Sequence, residues 1–139
     1  MSAVAASPDL HSLPLIYRGK VRDLYAADDR HLLMVASDRL SAFDVILPTR
    51  IPGKGAVLTA VSNFWFDRTR HIVPNHLQLA SLTLEQALPD PTERAAVAGR
   101  AVVARRLKGL ESVIDVCVVD PRLSDQGWTF SGEIGRAHV

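Results

Sequence analysis

Residues 15–36 read LIYRGKVRDLYAADDRHLLMVA and carry the strongest indication of the fold. It contains three short apolar runs, which are Leu15–Arg18, Val21–Tyr25 and His31–Ala36. A Gly-Lys pair separates the first two runs, and a cluster of charged residues separates the last two. Short apolar runs bounded by glycine or charged residues are typical of β-strands joined by tight turns. The stretch therefore predicts a succession of strand, turn, strand, turn and strand.

The chain beyond this stretch predicts a long helix and a further strand. Between Ala56 and Arg70, apolar residues recur at positions 57, 58, 61, 64, 65 and 66, which is a helical spacing. The aromatic residues Phe64, Trp65 and Phe66 lie in this run and are interpreted as core rather than as an aromatic box. Further predicted elements are a β-prone segment at Val45–Leu47, a loop at Pro48–Lys54, a short amphipathic helix within Leu82–Leu88 and a valine-rich strand at Arg100–Leu107.

The composition is that of one globular domain. The chain has 139 residues, of which 47% are hydrophobic, so it can bury a sizeable core. Sixteen basic and fifteen acidic residues give a formal net charge of +1, and no nucleic-acid partner is predicted from so small a charge. A run of eighteen uncharged apolar residues, about the length that spans a bilayer, does not occur, and no membrane partner is predicted.

Cysteine and histidine usage gives no indication of a bound metal. Cys117 is the single cysteine and cannot close an intrachain disulfide, which fits a reducing compartment and predicts a cytoplasmic protein. The residues His31, His71 and His76 lack the clustered spacing of a ligand set, and no metal ligand is assigned.

A glycine flanked by cations occupies the first predicted turn, where the sequence reads Arg18-Gly19-Lys20-Val21-Arg22. Glycine allows the main chain to approach a phosphate closely, and lysine and arginine supply the charge that a triphosphate requires. A solvated basic hairpin is the commoner role of an isolated Gly-Lys pair. The turn on its own therefore leaves both interpretations open.

Two polar segments follow the three predicted strands. The first, SDRLSAFD at residues 37–44, carries two carboxylates, an arginine and two hydroxyls at the end of an apolar strand. Such a loop can hold a substrate through charge-assisted hydrogen bonds, or it can be a structural Asx or Ser turn with an Asp-Arg pair. The second, IPGKG at residues 51–55, places a lysine between glycines just ahead of the long helix, where it is suited to present a cation to an anion.

Taken in order, these three motifs resemble the SAICAR synthetase family. Members of that family are ATP-dependent ligases of purine biosynthesis. The resemblance rests on RGKVRDLY at residues 18–25, on SDR and SAFDVI at residues 37–39 and 41–46, and on IPGKG at residues 51–55. It continues through NFWF at residues 63–66 and NHL at residues 75–77, and it covers residues from about Leu15 to Leu107.

The resemblance implies an α+β fold, in which a small antiparallel sheet with a covering helix forms the N-terminal, ATP-binding lobe. Kinases and ATP-grasp enzymes have nucleotide lobes of this kind. By the same resemblance, the residues at the ATP phosphates are Arg18, Gly19, Lys20, Val21 and Arg22. The residues on the substrate side of the cleft are Asp38, Arg39, Ser41, Asp44 and Lys54.

The implied activity is the joining of aspartate to carboxyaminoimidazole ribonucleotide while ATP is hydrolysed. ATP and Mg²⁺ are the implied cofactors, and ATP, aspartate and the ribonucleotide are the implied small-molecule partners. Two alternatives stay open, which are a stand-alone nucleotide-binding module and a kinase-like phosphotransferase lobe. A downstream reading frame that encodes the rest of the ligase would exclude both.

The chain is predicted to divide into a disordered leader at residues 1–14, the ATP-binding lobe at 15–107 and a non-family tail at 108–139. After Leu107 the family would continue with a Pro-x-Glu strand, whereas this chain reads GLESVID at residues 109–115. Residues 106–133 resemble glutathionyl-hydroquinone reductases instead, and residues 134–139 resemble a translated sequencing adapter. The sequence is therefore predicted to be a truncated or chimaeric product without the catalytic half.

Overall fold

The computed structural model describes residues 9–43, 45–77 and 80–106. Its strands are β1 (Leu15–Arg18), β2 (Arg22–Ala26), β3 (His31–Ala36), β4 (Ser41–Ala42), β5 (Val45–Ile46) and β6 (Ala101–Arg105). Its helices are α1 (Lys54–Thr69), α2 (Leu84–Ala87) and α3 (Pro91–Ala96). The three strands predicted from residues 15–36, the long helix and the valine-rich strand are all formed. The α+β class with a small antiparallel sheet is thus confirmed.

The main sheet has four antiparallel strands in the order β1-β2-β3-β6, and β4 pairs with β5 in a separate two-stranded sheet. In the main sheet Arg18 is aligned with Asp23, and Arg22 is aligned with Ala36. The β1–β2 turn therefore lies at the same end of the sheet as the residues that follow β3. The start of β6 lies there too, because Val35 is aligned with Ala101.

The hydrophobic core lies on one face of the sheet. The buried residues that form it are Leu10, Tyr25, Leu33, Val35, Leu88 and Val97. On β3, buried and half-buried residues alternate, as expected for a strand with one face against the core. Leu10 is only 6% exposed, so the predicted disordered leader at residues 1–14 is wrong for its last residues. An apolar side chain ahead of β1 joins the core because the sheet offers a buried site for it.

Helix α1 contacts β3, but most of its apolar side chains face away from the sheet. Phe64 is 54% exposed and Trp65 is 59% exposed, so their interpretation as core is wrong. Val57, Leu58 and Val61 are exposed on the same stripe of the helix. Helical periodicity identifies an apolar face, but it does not determine which face meets the sheet.

Two short helices precede β6. Helix α2 begins with a capping box, in which Thr83 and Gln86 each accept a hydrogen bond from the other's backbone N–H. No helix is predicted from the sequence between Leu88 and Arg100, where α3 lies. Proline at the first helical position and an aspartate before it are helix-start signals, and the side chain of Asp90 accepts hydrogen bonds from the N–H groups of Thr92 and Glu93.

Candidate functional site at the β1–β2 end of the sheet

The β1–β2 turn is a tight connection that only glycine fits at position 19. The Gly19 N–H donates to the carbonyl oxygen of Arg22 at 2.8 Å. A Cβ atom on Gly19 would lie 2.9 Å from that same oxygen and 3.1 Å from the ring of Tyr17. The carbonyl of Val21 accepts from both the N–H and the hydroxyl of Ser37, at 2.9 and 2.8 Å, so the turn is anchored to the residue after β3.

Arg39 lies beneath this turn and holds two of its carbonyl groups. Its Nη2 donates to the carbonyl oxygen of Gly19, and its Nε donates to that of Lys20, both at 3.0 Å. The same guanidinium pairs with Asp23, with Nη2 2.6 Å from Oδ1. The side chain of Arg39 is 13% exposed and that of Asp23 is 1% exposed, so this is a largely buried ion pair.

Asp38 caps the start of α1, although it lies 15 residues before the N-cap position in the sequence. The residue at the N-cap position of the helix is Gly53, which has a φ of 80° and offers no capping side chain. The Asp38 carboxylate instead accepts from Gly53 N–H at 3.2 Å and from Gly55 N–H at 2.8 Å. A carboxylate at a helix N-terminus satisfies donors that lack an intrahelical partner and interacts favourably with the helix dipole.

The ionised form of Asp38 is stabilised by its surroundings. Burial by itself raises the pKa of Asp38, but the hydrogen bonds from Gly55 and Gly53 oppose burial, and the charge of Arg100 adds to them. Arg100 Nη2 lies 3.4 Å from Asp38 Oδ2. The net result is a pKa below the ordinary aspartate value, and the carboxylate is charged at neutral pH.

The three sequence motifs therefore meet in one cluster. Arg39 contacts the turn, Asp38 contacts the Gly53–Gly55 segment, and Lys54 Nζ donates to the carbonyl oxygen of Arg39 at 3.0 Å. Ser41 lies outside this cluster, on β4, where it is aligned with Ile46. Asp44 lies outside the residues that the structure describes.

The turn itself is cationic. Arg18 ends β1, Lys20 is exposed within the turn, and Arg22 begins β2. A hydrogen bond to Asp9, together with the charge of Asp23, raises the pKa of Arg18. This arrangement places positive charge around a glycine backbone, which is the chemistry suited to a phosphate group.

Sequence reasoning missed two charged members of the cluster. Asp23 has no predicted role, although a carboxylate inside a predicted strand and next to Arg22 is a signal for an ion pair. Arg100 is predicted only as the first residue of the valine-rich strand, and its contact with Asp38 joins residues that are 62 positions apart. Local sequence patterns do not reveal a partner at that distance.

Within residues 9–43, 45–77 and 80–106, no group of three or more His, Cys, Asp or Glu side chains is arranged to hold a metal ion. In the same part of the chain, no helix has the length and apolar character needed to cross a bilayer. His31, to which no metal role was assigned, is buried and bonds to Asp28 and Ser81.

Replacing Gly55 with alanine is expected to destabilise the chain. The new Cβ would lie 2.7 Å from the carbonyl oxygen of Ala36 and 3.0 Å from its carbonyl carbon, so backbone atoms must move. Helix propensity alone would favour alanine by about 1 kcal/mol. Overpacking of this kind costs about 1–3 kcal/mol. We expect this steric cost to exceed the gain in helix propensity, so the free energy of unfolding should fall. Urea denaturation followed by circular dichroism measures the difference.

Ser62→Ala is the matched control for this substitution. Ser62 is an exposed residue of α1, and alanine there is expected to leave stability unchanged or slightly higher. If Gly55→Ala proved as stable as Ser62→Ala, the close approach of α1 to the end of β3 would be contradicted.

The fold and the site together define an α+β protein whose antiparallel sheet ends in a glycine-containing cationic turn, which is linked to the start of a helix through hydrogen bonds of Arg39, Asp38 and Lys54. The sequence profile of the family described as SAICAR synthetase matches residues 15–118. The chain therefore belongs to the SAICAR synthetase family, which confirms the resemblance of the motifs. The match extends past Leu107, and the assignment of residues 108–139 to a non-family tail stays a prediction.

Individual relatives give the same result. The chain is 56% identical over 128 residues to a phosphoribosylaminoimidazole-succinocarboxamide synthase of Thioalkalivibrio sulfidiphilus, which covers 92% of this chain and 42% of the relative. It is 51% identical over 119 residues to the protein of the same name from Methylobacillus flagellatus, which covers 86% of this chain and 38% of the relative.

A solved structure, the SAICAR-synthase from Saccharomyces cerevisiae complexed with SAICAR, superposes with a TM-score of 0.66 at 37% identity. The superposition covers 76% of this chain and 38% of that one. The chain therefore spans about two fifths of the length of the relatives that it matches.

Proposed function

We propose that this chain carries the ATP-binding lobe of a ligase that joins aspartate to carboxyaminoimidazole ribonucleotide, and that the β1–β2 turn receives the ATP phosphates. The observation that carries the proposal is the convergence of the three motifs at one end of the sheet. The turn, the segment after β3 and the start of α1 are bonded to one another through Arg39, Asp38 and Lys54. Family membership supports the ligase reaction.

The residues at the turn fit a nucleotide phosphate. Gly19 leaves no side chain between the backbone and a ligand, and its contact with Arg22 O excludes a larger residue. Arg18, Lys20 and Arg22 supply positive charge around it. Close backbone approach combined with flanking cations is a recurrent way of binding phosphate groups.

In the proposed reaction, ATP phosphorylates a carboxylate of the ribonucleotide, and the amine of aspartate then displaces phosphate. When bound, a magnesium ion would offset the charge of the ATP phosphates, and no residue of the described part of the chain is proposed to hold it. Of the substrate-side residues, we propose that Ser41 and Asp44 face the substrate. Asp38, Arg39 and Lys54 would act behind them, because their polar atoms are bonded within the chain.

The segment from Leu15 to Leu107 is proposed as the ATP-binding lobe of this enzyme. A cytoplasmic location is proposed as well, since a single cysteine in 139 residues fits a reducing compartment.

Replacing Lys20 with alanine is expected to abolish the salt-sensitive part of MgATP binding. Binding to the 139-residue chain should be weak, because one wall of a cleft buries less of a ligand than a closed site does. An ammonium that faces phosphate contributes through its charge, which added salt screens. Titrating MgATP into ¹⁵N-labelled protein at two salt concentrations measures both effects.

The control for this experiment is Arg70→Ala, which removes one positive charge from the far end of α1. Arg70 is 63% exposed and pairs with Asp67 on the surface of the helix. We expect this variant to bind MgATP as the unsubstituted chain does. If Lys20→Ala did the same, the assignment of the turn as the phosphate site would be wrong.

A further inference from the structure

The side chain of Arg39 is directed at the β1–β2 turn, although the family resemblance places it on the substrate side. Two of its donors reach the carbonyl oxygens of Gly19 and Lys20. Two others reach the carboxylate of Asp23. A planar guanidinium presents its donors in a rigid fork, so acceptors on two sides determine its orientation. Arg39 therefore acts on the turn as a fixed support.

Holding these two carbonyl groups also determines the direction of two amide groups. The described residues contain no cis peptide bond. In a planar trans peptide unit the C=O and N–H bonds point in opposite directions. Because the carbonyls of Gly19 and Lys20 point toward Arg39, the N–H groups of Lys20 and Val21 point to the opposite side of the turn. Successive amides that face one way make an anion-binding concavity.

Arg39 is itself held in place from two directions. Asp23 is buried and accepts from both terminal nitrogens of the guanidinium, at 2.6 and 3.5 Å. Lys54 Nζ donates to the backbone carbonyl of Arg39. The support thus connects the core of β2 and the start of α1 to the turn.

We infer that Arg39 is a positioning residue, which orients the peptide units between Gly19 and Val21 so that the amides of Lys20 and Val21 face a bound phosphate group. This inference rests on the proposed function, in which the turn receives ATP phosphates. Arg39 acts on the phosphate through the backbone of the turn.

Arg39→Lys is the variant that tests this role. Lysine retains the positive charge beside Asp23, so the buried carboxylate keeps a counter-ion and the chain is expected to fold. A single ammonium does not reproduce the fork that reaches two carbonyls and a carboxylate together. Arg70→Lys is the matched control, because it makes the same exchange at an exposed arginine at the end of α1.

The first measurement is amide hydrogen exchange, which needs no ligand. In Arg39→Lys, the Gly19 amide is expected to exchange at least about tenfold faster, because the turn that it closes loses its support. The amide of Leu33, in the buried centre of the sheet, reports global unfolding and is expected to change little. A merely structural contribution to stability would accelerate both amides together.

The second measurement is a titration with MgATP. Arg39→Lys is expected to bind MgATP roughly tenfold more weakly than the unsubstituted chain. This change corresponds to a loss of about 1.4 kcal/mol of binding free energy. Arg70→Lys should bind unchanged. If lysine at position 39 restored full affinity, charge alone would explain the role of Arg39, and the inference would be overturned.

The two measurements separate this inference from the proposed function. Unchanged exchange at Gly19 in Arg39→Lys would overturn the positioning role whatever the binding result. MgATP binding that is insensitive to Lys20→Ala would overturn the proposed function, and the exchange at Gly19 would still decide whether Arg39 supports the turn.

Discussion

A polypeptide with this 139-residue sequence is expected to form no succinocarboxamide product above the uncatalysed background from ATP, aspartate and carboxyaminoimidazole ribonucleotide. Ligation requires the phosphorylated carboxyl group, the amine and the phosphates in one closed cleft. Correct positioning of reacting groups contributes about 7 kcal/mol or more, which is roughly a 10⁵-fold rate effect. The chain spans 42% of the relative from Thioalkalivibrio sulfidiphilus, and under the proposed function it would supply only one wall of such a cleft.

The control is a longer chain that continues this sequence with the family's remaining segments. Both proteins are incubated with the three substrates, and product is followed by chromatography with absorbance detection. We expect product from the longer chain alone. Turnover by the 139-residue chain would show that these 139 residues suffice for catalysis, contrary to the proposal.

Replacing Asp38 with alanine is expected to remove much of the chain's stability. Two backbone N–H groups at the start of α1 and the side chain of Arg100 would lose their carboxylate partner. Loss of charge-assisted hydrogen bonds at a buried site costs about 3–5 kcal/mol, a large fraction of the 5–15 kcal/mol that stabilises a typical domain. Urea denaturation measures the loss. Asp67→Ala, at a 69% exposed residue of α1, should cost about 0.5 kcal/mol or less.

Asp38 should also contribute to acid sensitivity. Its pKa is lowered from the ordinary 3.8, so the ionised form contributes stability that is fully present above that value and is lost as pH falls through the folded-state pKa. The free energy of unfolding should therefore fall more steeply below about pH 4 in the unsubstituted chain than in Asp38→Asn. Asp28 and Glu93, whose pKa values are also lowered, are present in both proteins and cancel in the comparison. Parallel curves would contradict the role given to Asp38.

The exposed apolar stripe of α1 shows that sequence periodicity can predict a helix without predicting which of its faces is buried. The spacing of Val57, Val61 and Phe64 identifies a helix correctly, because it depends on residues within a few turns of one another. Whether that stripe is buried depends on which elements pack on it. In the described residues the sheet meets α1 elsewhere, at Gly55, whose position next to the Ala36 backbone leaves no room for a side chain.

The strands at residues 15–36, the long helix, the glycine turn and the family could all be predicted from the sequence, since each depends on neighbouring residues or on motifs in a defined order. The hydrogen-bond partners of Asp38 and Arg39 could not, and they are known only from the three-dimensional structure. Both are predicted to lie on the substrate side of the cleft, which stays a prediction, and both bond to groups distant in sequence, at Gly55 and Gly19. A short polar motif specifies which hydrogen bonds a side chain can make, but strand pairing and helix packing determine which partners come within 3 Å of it.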